Sequence, residues 1–406
     1  MVEVGPFRAL RPSSATAARV AALPYDVMDV AEARAMAAGN PDSFLHVSRP
    51  EIDLPSATDP YDDLVYSQGR RALDDFVGRG VLTADVAPTF SVYRQRRNDR
   101  TQTGVVGVVA VADYDAGRVR THELTRPDKE LDRVRHIDAL DAQDEPVFLL
   151  EPGSAAVAAV VAAVVGGEPV ADFRSDDGVE HTVWVVAEPD RITALTEAYA
   201  QLPELYVADG HHRIAAASRV AAQRGGTGGH QQLLAVMFPA DQVEVLAYNR
   251  VVGLGDHSAA ELLAAIAADF VVSAADGPVE PAHRHEFGLY AAGRWYAAAL
   301  RPGRLGDTDA RGRLAVAVLQ DRVLGPLLGV GDPREDPRLR FVGGGRGSAE
   351  LERLVDADDS QVAFSLHPTT VAELFAVADA GEVMPPKSTW FEPKLRSGLF
   401  VHPFAP

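Results

Sequence analysis

Asp209-Gly210-His211-His212-Arg213 sets a carboxylate, a glycine, two imidazoles and a guanidinium on five consecutive residues. Leu205–Ala208 ahead of it has strand character, Asp-Gly is a turn signal, and the alanine-rich run to about Gln223 reads as a helix. A strand, a tight turn and a helix start aim backbone N–H groups and the positive helix end at one spot. That arrangement suits an anion such as phosphate. His211, His212 and Arg213 add side-chain donors, and Asp209 could position a cation or a hydroxyl. The plainer alternative is a strand–helix turn with a solvated arginine and two surface histidines.

Two further stretches could do chemistry. His122-Glu123 lies in a loop just before a helix that Pro127, Asp128 and Glu130 mark as starting there. Arg126 stands at its start, and Lys129 and Arg133, four apart, share one face. A capping carboxylate, an exposed imidazole and a solvated charged face would explain the same residues. The segment 383–406 is a proline-punctuated tail carrying Lys387, Ser388, Thr389, Lys394 and Arg396. Of the 39 Lys+Arg residues only Lys129, Lys387 and Lys394 are lysines, and all three fall in these stretches. Lysine differs from arginine as a mobile point charge suited to phosphate oxygens.

Other chemistry is missing. No G-x-x-x-x-G-K-[ST], H-E-x-x-H or G-x-S-x-G occurs, and no G-x-G-x-x-G follows an expected strand. His211 and His212, adjacent at a helix start, point about 100° apart and so do not share one metal. His283, His285 and Glu286 read better as a surface strand than as a metal cluster. The glycine-rich Phe341–Ser348 connection is a weak anion signal.

Composition narrows the class. At 406 residues and 47% hydrophobic the chain can form two or three domains with large cores. A net charge of −19 disfavours nucleic acid as a partner. With no cysteine, disulfides, thiolate catalysis and Cys-ligated metals are excluded. The N-terminus lacks a signal-peptide pattern. The run Ala155–Val165 is well short of the ~20 residues of a membrane helix. The expectation is a soluble cytoplasmic protein without membrane contact, with a homodimer left open.

The elements expected to position these residues form a mixed α/β (α+β) fold. Short extended pieces broken by proline fill 1–30, and Asp26 in Pro24-Tyr25-Asp26-Val27 either faces a pocket or lies in a loop. A strand is expected at Phe44–Val47 and a helix from Tyr61 to about Val77. Strands follow at Phe90–Arg94, Val105–Ala112, Pro146–Leu150, Thr182–Ala187 and Leu233–Phe238. Helices are expected at Val157–Val165, Arg191–Gln201, Ser258–Ala268, Asp309–Leu324 and Thr370–Ala380. The expected organisation is an N-terminal segment 1–88, a central domain 89–250 with an insertion at 151–204, a C-terminal domain 251–382, and a tail 383–406 closing as a lid.

The Asp209–Arg213 turn resembles that of the ParB/sulfiredoxin-like superfamily. The order His122-Glu123, Pro146–Leu150, Asp209–Arg213 is similar to that of its free-serine kinases. Along nearly its full length the chain also resembles a domain-of-unknown-function family, in Pro24–Val27, Asn40-Pro41, His122–Arg133, the Asp209–Arg213 turn and Pro386–Lys394. The resemblance implies a ParB/sulfiredoxin-like central region with additions at both ends. It also implies a nucleotide-dependent kinase acting on free L-serine or a similar hydroxyl compound, with ATP or ADP and Mg²⁺. Gly210, His211, His212 and Arg213 would hold the nucleotide phosphates, with Asp209 helping to hold the metal. Glu123 would be the general base with His122 beside it. Arg126, Lys129, Arg133, Lys387, Ser388, Thr389, Lys394 and Arg396 would bind phosphate or substrate. A non-catalytic nucleotide switch and a phosphoesterase are the alternatives.

Overall fold

Alternating apolar runs build two sheets, each the centre of its own compact unit. A computed structural model describes residues 1–405. The first unit takes in Met1–Thr121, Thr125–Val243 and the chain from Pro393 onward. The second takes in His122–Leu124 and Glu244–Glu392. The chain is thus mixed α/β, and the 1–88 segment and the last residues belong with the central sheet.

The first sheet runs Val119–Arg120, Leu205–Asp209, Val147–Glu151, Gln232–Pro239, Arg100–Ala110, Phe90–Arg97, Glu180–Val186, Ala171–Arg174, with Val4–Gly5 also pairing Arg100–Ala110. Leu205–Asp209 pairs parallel to Val119–Arg120, and Val147–Glu151 parallel to Gln232–Pro239; the other pairings are antiparallel. The 151–204 stretch, expected as an insertion, supplies two strands of this sheet. The helix His211–Arg224 is buried on two sides, which explains its alanines. Ile214, Ala217 and Ala221 join the sheet core, while Ala216 and Val220 pack on Val134 and Ile137 of Pro127–Leu140.

The second unit holds a six-stranded antiparallel sheet ordered Phe270–Ala275, Arg294–Leu300, Glu286–Ala291, Gln361–Leu366, Tyr248–Gly253, Leu339–Gly343. Leu351, Leu354 and Val355 of the helix Gly347–Asp356 cover it.

Three expectations change. The strand expected at Phe44–Val47 is a helix, Leu45–Ser48. Phe44, Leu45 and Val47 are all buried, so alternation is lost, and local bonds such as Ser48 N–H to the Phe44 carbonyl win. The single helix expected over Asp309–Leu324 is broken. A 3₁₀ turn, Arg311–Arg313, gives way at extended Leu314 to a short α-helix and then a π-turn at Gln320–Leu324. The expected lid is, from Pro393 onward, an anchored segment of the first unit. Ser397 and Val401 bond to Ala22 and Leu10, and Leu399, Phe400 and Val401 are buried. Each such burial stabilises by roughly 1.5–3 kcal/mol. Among the described residues no helix is long and apolar enough to cross a membrane.

Gly398 is the hinge of that anchoring. Its φ is +84°, and a Cβ there would sit 2.5 Å from the Phe44 ring. Gly398→Ala is expected to destabilise the protein by about 1–3 kcal/mol through left-handed strain and overpacking. Urea unfolding checks this; a parent-like midpoint would contradict it.

Candidate functional site

Leu205–Asp209 runs between Val147–Glu151 and Val119–Arg120, with a register shift between Val207 and Asp209 that turns the end of the strand. Gly210 follows at φ +97°, and the helix His211–Arg224 starts with no side-chain cap. Glycine is required twice over: for the positive φ, and because a Cβ would lie 2.9 Å from the Arg213 Nε. Arg213 folds back beneath the turn and is buried. Its Nη1 donates to the Pro146 carbonyl, and its Nη2 donates to Asp209 Oδ2 at 2.9 Å. The Lys394 Nζ lies 3.7 Å from Asp209 Oδ1. The Asp209 carboxylate is therefore held by a cation on each oxygen.

His211 is buried at the helix start. The His212 Nε2 accepts the Arg126 backbone N–H at 3.0 Å. An acceptor Nε2 puts the ring proton of a neutral His212 on Nδ1. That bond also fastens the start of Pro127–Leu140 to the start of His211–Arg224, so two helix N-termini stand side by side. Like poles side by side repel, and an anion relieves the repulsion.

Beneath the turn lies a charged cluster that the sequence did not announce. Glu145 Oε1 accepts the Tyr25 N–H at 3.1 Å and the Ser397 hydroxyl at 2.7 Å. Burial pushes its carboxyl up to about 7, Asp144 and Asp26 adding to this while Arg213 and Arg133 oppose it. Burial also raises Asp144, but His136, 3.0 Å away, and Arg133 outweigh it and hold that carboxyl below its usual range. Arg133 stacks 4.0 Å from the centre of the Tyr25 ring and pairs with Asp132 at 2.8 Å. Arg213, Arg133, Asp144 and Glu145 enclose a cavity of about 10 Å³, the scale of one water. The sequence marked Arg133, Arg213 and Asp26 of this cluster, whereas Asp144-Glu145 stood only as two acids just before an apolar strand.

In the second unit, the His122 carbonyl accepts the Met384 N–H at 2.8 Å, and the His122 Nε2 lies 3.4 Å from the Thr389 hydroxyl. Glu123 lines a cavity of about 480 Å³ with Arg311, Asp321, Asp332, Arg334 and Met384. Arg334 is paired with Asp332 at 2.7 Å. The Arg311 guanidinium has no ion-pair partner among the described residues. Asp321 stands on the π-turn, a feature frequent at functional sites. Buried Arg250 donates to the Pro386 and Lys387 carbonyls at 3.0 Å each. Burial lowers its pKa to about 9 against the opposing pull of Tyr248 and Glu123. The Lys387 Nζ lies over the Tyr248 ring, and the Ser388 hydroxyl donates to the Pro385 carbonyl at 2.6 Å.

The other expected residues lie as follows. Arg126 pairs with Asp128 at 2.9 Å, and the Lys129 Nζ bonds the Tyr61 hydroxyl at 3.0 Å. Lys129 and Arg133 therefore serve different partners. Arg396 is buried and donates to Asp177 and Ser175. Asp209, expected to help hold a metal, faces Arg213 through Oδ2 and Lys394 through Oδ1. Among the described residues no group of three or more His, Asp or Glu side chains could hold a metal ion.

Residues 4–321 match the family described as "Protein of unknown function (DUF1015)". No curated protein sequence matches the chain. Solved structures similar to it include SbnI with a C-terminal truncation from Staphylococcus aureus. That likeness has 12% identity and a TM-score of 0.40, over 72% of this chain and 85% of that one. A free serine kinase mutant in complex with ADP has 14% identity and a TM-score of 0.36, over 70% and 87%. A conserved hypothetical protein from Pyrococcus furiosus has 13% identity and a TM-score of 0.36, over 72% and 93%.

Arg213→Met leaves Asp209 without its buried partner and Glu145 with only Arg133 opposing its burial, and is expected to cost about 3–5 kcal/mol in urea unfolding. Adding Glu145→Gln should recover part of that loss; no recovery would remove Glu145 from the cluster. Glu145 ordinarily ionises near 4.5 and in the fold at about 7, so its burial penalty grows as pH rises between those values. Relative to the parent, Glu145→Gln should gain stability across that window and level off above it.

Proposed function

This chain belongs to the DUF1015 family, and we propose that it is a nucleotide-dependent phosphotransferase acting on the hydroxyl of a small metabolite, free L-serine being the first acceptor to try. The observation that carries the reading is the pair of helix starts joined through His212 and Arg126, beside the Gly210 turn. Two uncapped positive ends and a lysine at one place favour a multiply charged anion, and a nucleotide's phosphates are such an anion.

Phosphoryl transfer asks the protein for positioning and charge neutralisation more than for covalent chemistry. In this reading the nucleotide supplies the phosphoryl group. Backbone N–H groups of residues 211–213, Arg126 and Lys394 receive its phosphates, and Arg213 fixes the Asp209 carboxylate from below. Glu123 takes the proton from the acceptor hydroxyl. Its cavity carries both signs of charge, Glu123 and Asp321 against Arg311, which fits a zwitterionic acceptor. Thr389 orients His122 next to that base. Lys387 and Ser388 shape the loop that Arg250 clasps.

The test is direct. Purified protein is incubated with L-serine, ATP or ADP, and Mg²⁺ as the nucleotide's counter-ion, and phosphoserine is measured. Glu123→Gln should lower turnover about 10²–10⁴-fold with nucleotide affinity kept, whereas Lys394→Met should weaken nucleotide binding. Turnover unchanged in Glu123→Gln contradicts the assignment. Nucleotide binding without any product would favour the switch, and phosphate release without an acceptor the phosphoesterase.

A further inference from the structure

The first unit holds a second chemical site that the turn does not use. Glu151 ends the strand Val147–Glu151 and is 1% exposed, yet its Oε2 has no hydrogen-bond partner. Such atoms are rare in folded proteins and call for an explanation. Glu151 lines a cavity of about 280 Å³. The walls are largely aliphatic: Val105 and Met237 from the sheet, with Val157, Val161 and Val165 from the helix Ala155–Val165. The fully buried Tyr199 hydroxyl, also without a partner, stands within electrostatic reach of Glu151.

Among the described residues the one cation on the cavity wall, Arg94, is committed elsewhere. The Arg94 guanidinium lies 4.7 Å from the centre of the Trp184 ring and reaches the Thr182 hydroxyl at 3.5 Å. It makes no ion pair with Glu151 among the described residues. Burial, with Asp241 adding to it, holds the Glu151 carboxyl at about 7, as expected where no counter-charge is present. A buried carboxyl on the wall of a largely aliphatic cavity, without an ion-pair partner among the described residues, is stabilised by a cation that a ligand brings.

We propose that this cavity is a ligand site for a short aliphatic primary amine, its ammonium on Glu151 and its chain along Val157, Val161 and Val165. The aliphatic walls take up the chain without directional contacts, and the Glu151 carboxylate supplies the single charged acceptor. The assignment is independent of the phosphotransferase reading, since no residue of the turn or of the Glu123 cavity takes part.

Calorimetric titration of the full chain with n-pentylamine, n-pentanol and valerate tests it. Pentylamine should bind, and pentanol at least tenfold more weakly, as expected for losing a charge-assisted hydrogen bond. Glu151→Gln should weaken pentylamine by a similar factor and leave pentanol nearly unchanged. Val161→Phe, which fills the cavity, should abolish binding of both, with a parent-like circular dichroism spectrum showing that the fold is kept. Valerate binding as well as pentylamine would make Arg94 the recognition group and overturn the proposal. Pentylamine binding that ignores Glu151→Gln, or no binding at all, would also overturn it.

Discussion

The guanidinium of Arg213 is the pin on which the first unit's polar architecture turns. It ties the end of one strand, through Asp209, to the start of the neighbouring strand, through the Pro146 carbonyl. It does so from a buried position, where removing one partner of an ion pair costs several kcal/mol. Because the pin is sequence-local to the turn, the same five residues that shape the helix start also secure it. Gly210 gives the guanidinium room to pass.

From that pin outward, each layer settles the next. Arg213 and Arg133 line the same small cavity as the buried acids, and His136 pairs with Asp144. Tyr25 and Ser397 bring the N-terminal segment and the C-terminal segment to Glu145. The last residues are thus structural partners of the cluster, and Lys394 reaches Asp209 because its neighbours are anchored. In the second unit a comparable device is Arg250, which holds the Pro386 and Lys387 carbonyls beside the Glu123 cavity. Both arginines act as buried clasps on backbone carbonyls, where a rigid fork of donors suits better than an ammonium.

Much of this was legible in the sequence, and the failures have physical causes. Asp-Gly between a strand-like run and an alanine-rich run marked the turn, because glycine's positive φ and the change of period are local signals. The direction in which Arg213 points was not legible. It depends on Glu145 and Pro146, more than sixty residues earlier, and polarity alone suggests an exposed donor. The pairing of two helix starts through His212 and Arg126 was hidden for the same reason. Phe44–Val47 read as a strand because aromatic and β-branched residues favour one, but burial on every side removes the alternation that distinguishes the two. The break at Leu314 left no mark stronger than its apolar neighbours. Asp144-Glu145 stands in the sequence as two acids before an apolar strand, and nothing local to the pair says that both side chains are buried.

The two helix starts and Lys394 are proposed to hold the phosphates of a nucleotide. A crystal structure of the full chain grown with ADP would show where they bind. Phosphate oxygens are expected within hydrogen-bond distance of the backbone N–H groups of residues 211–213, with the Lys394 ammonium turned toward them. A nucleotide bound elsewhere, with those N–H groups facing only water, would contradict it.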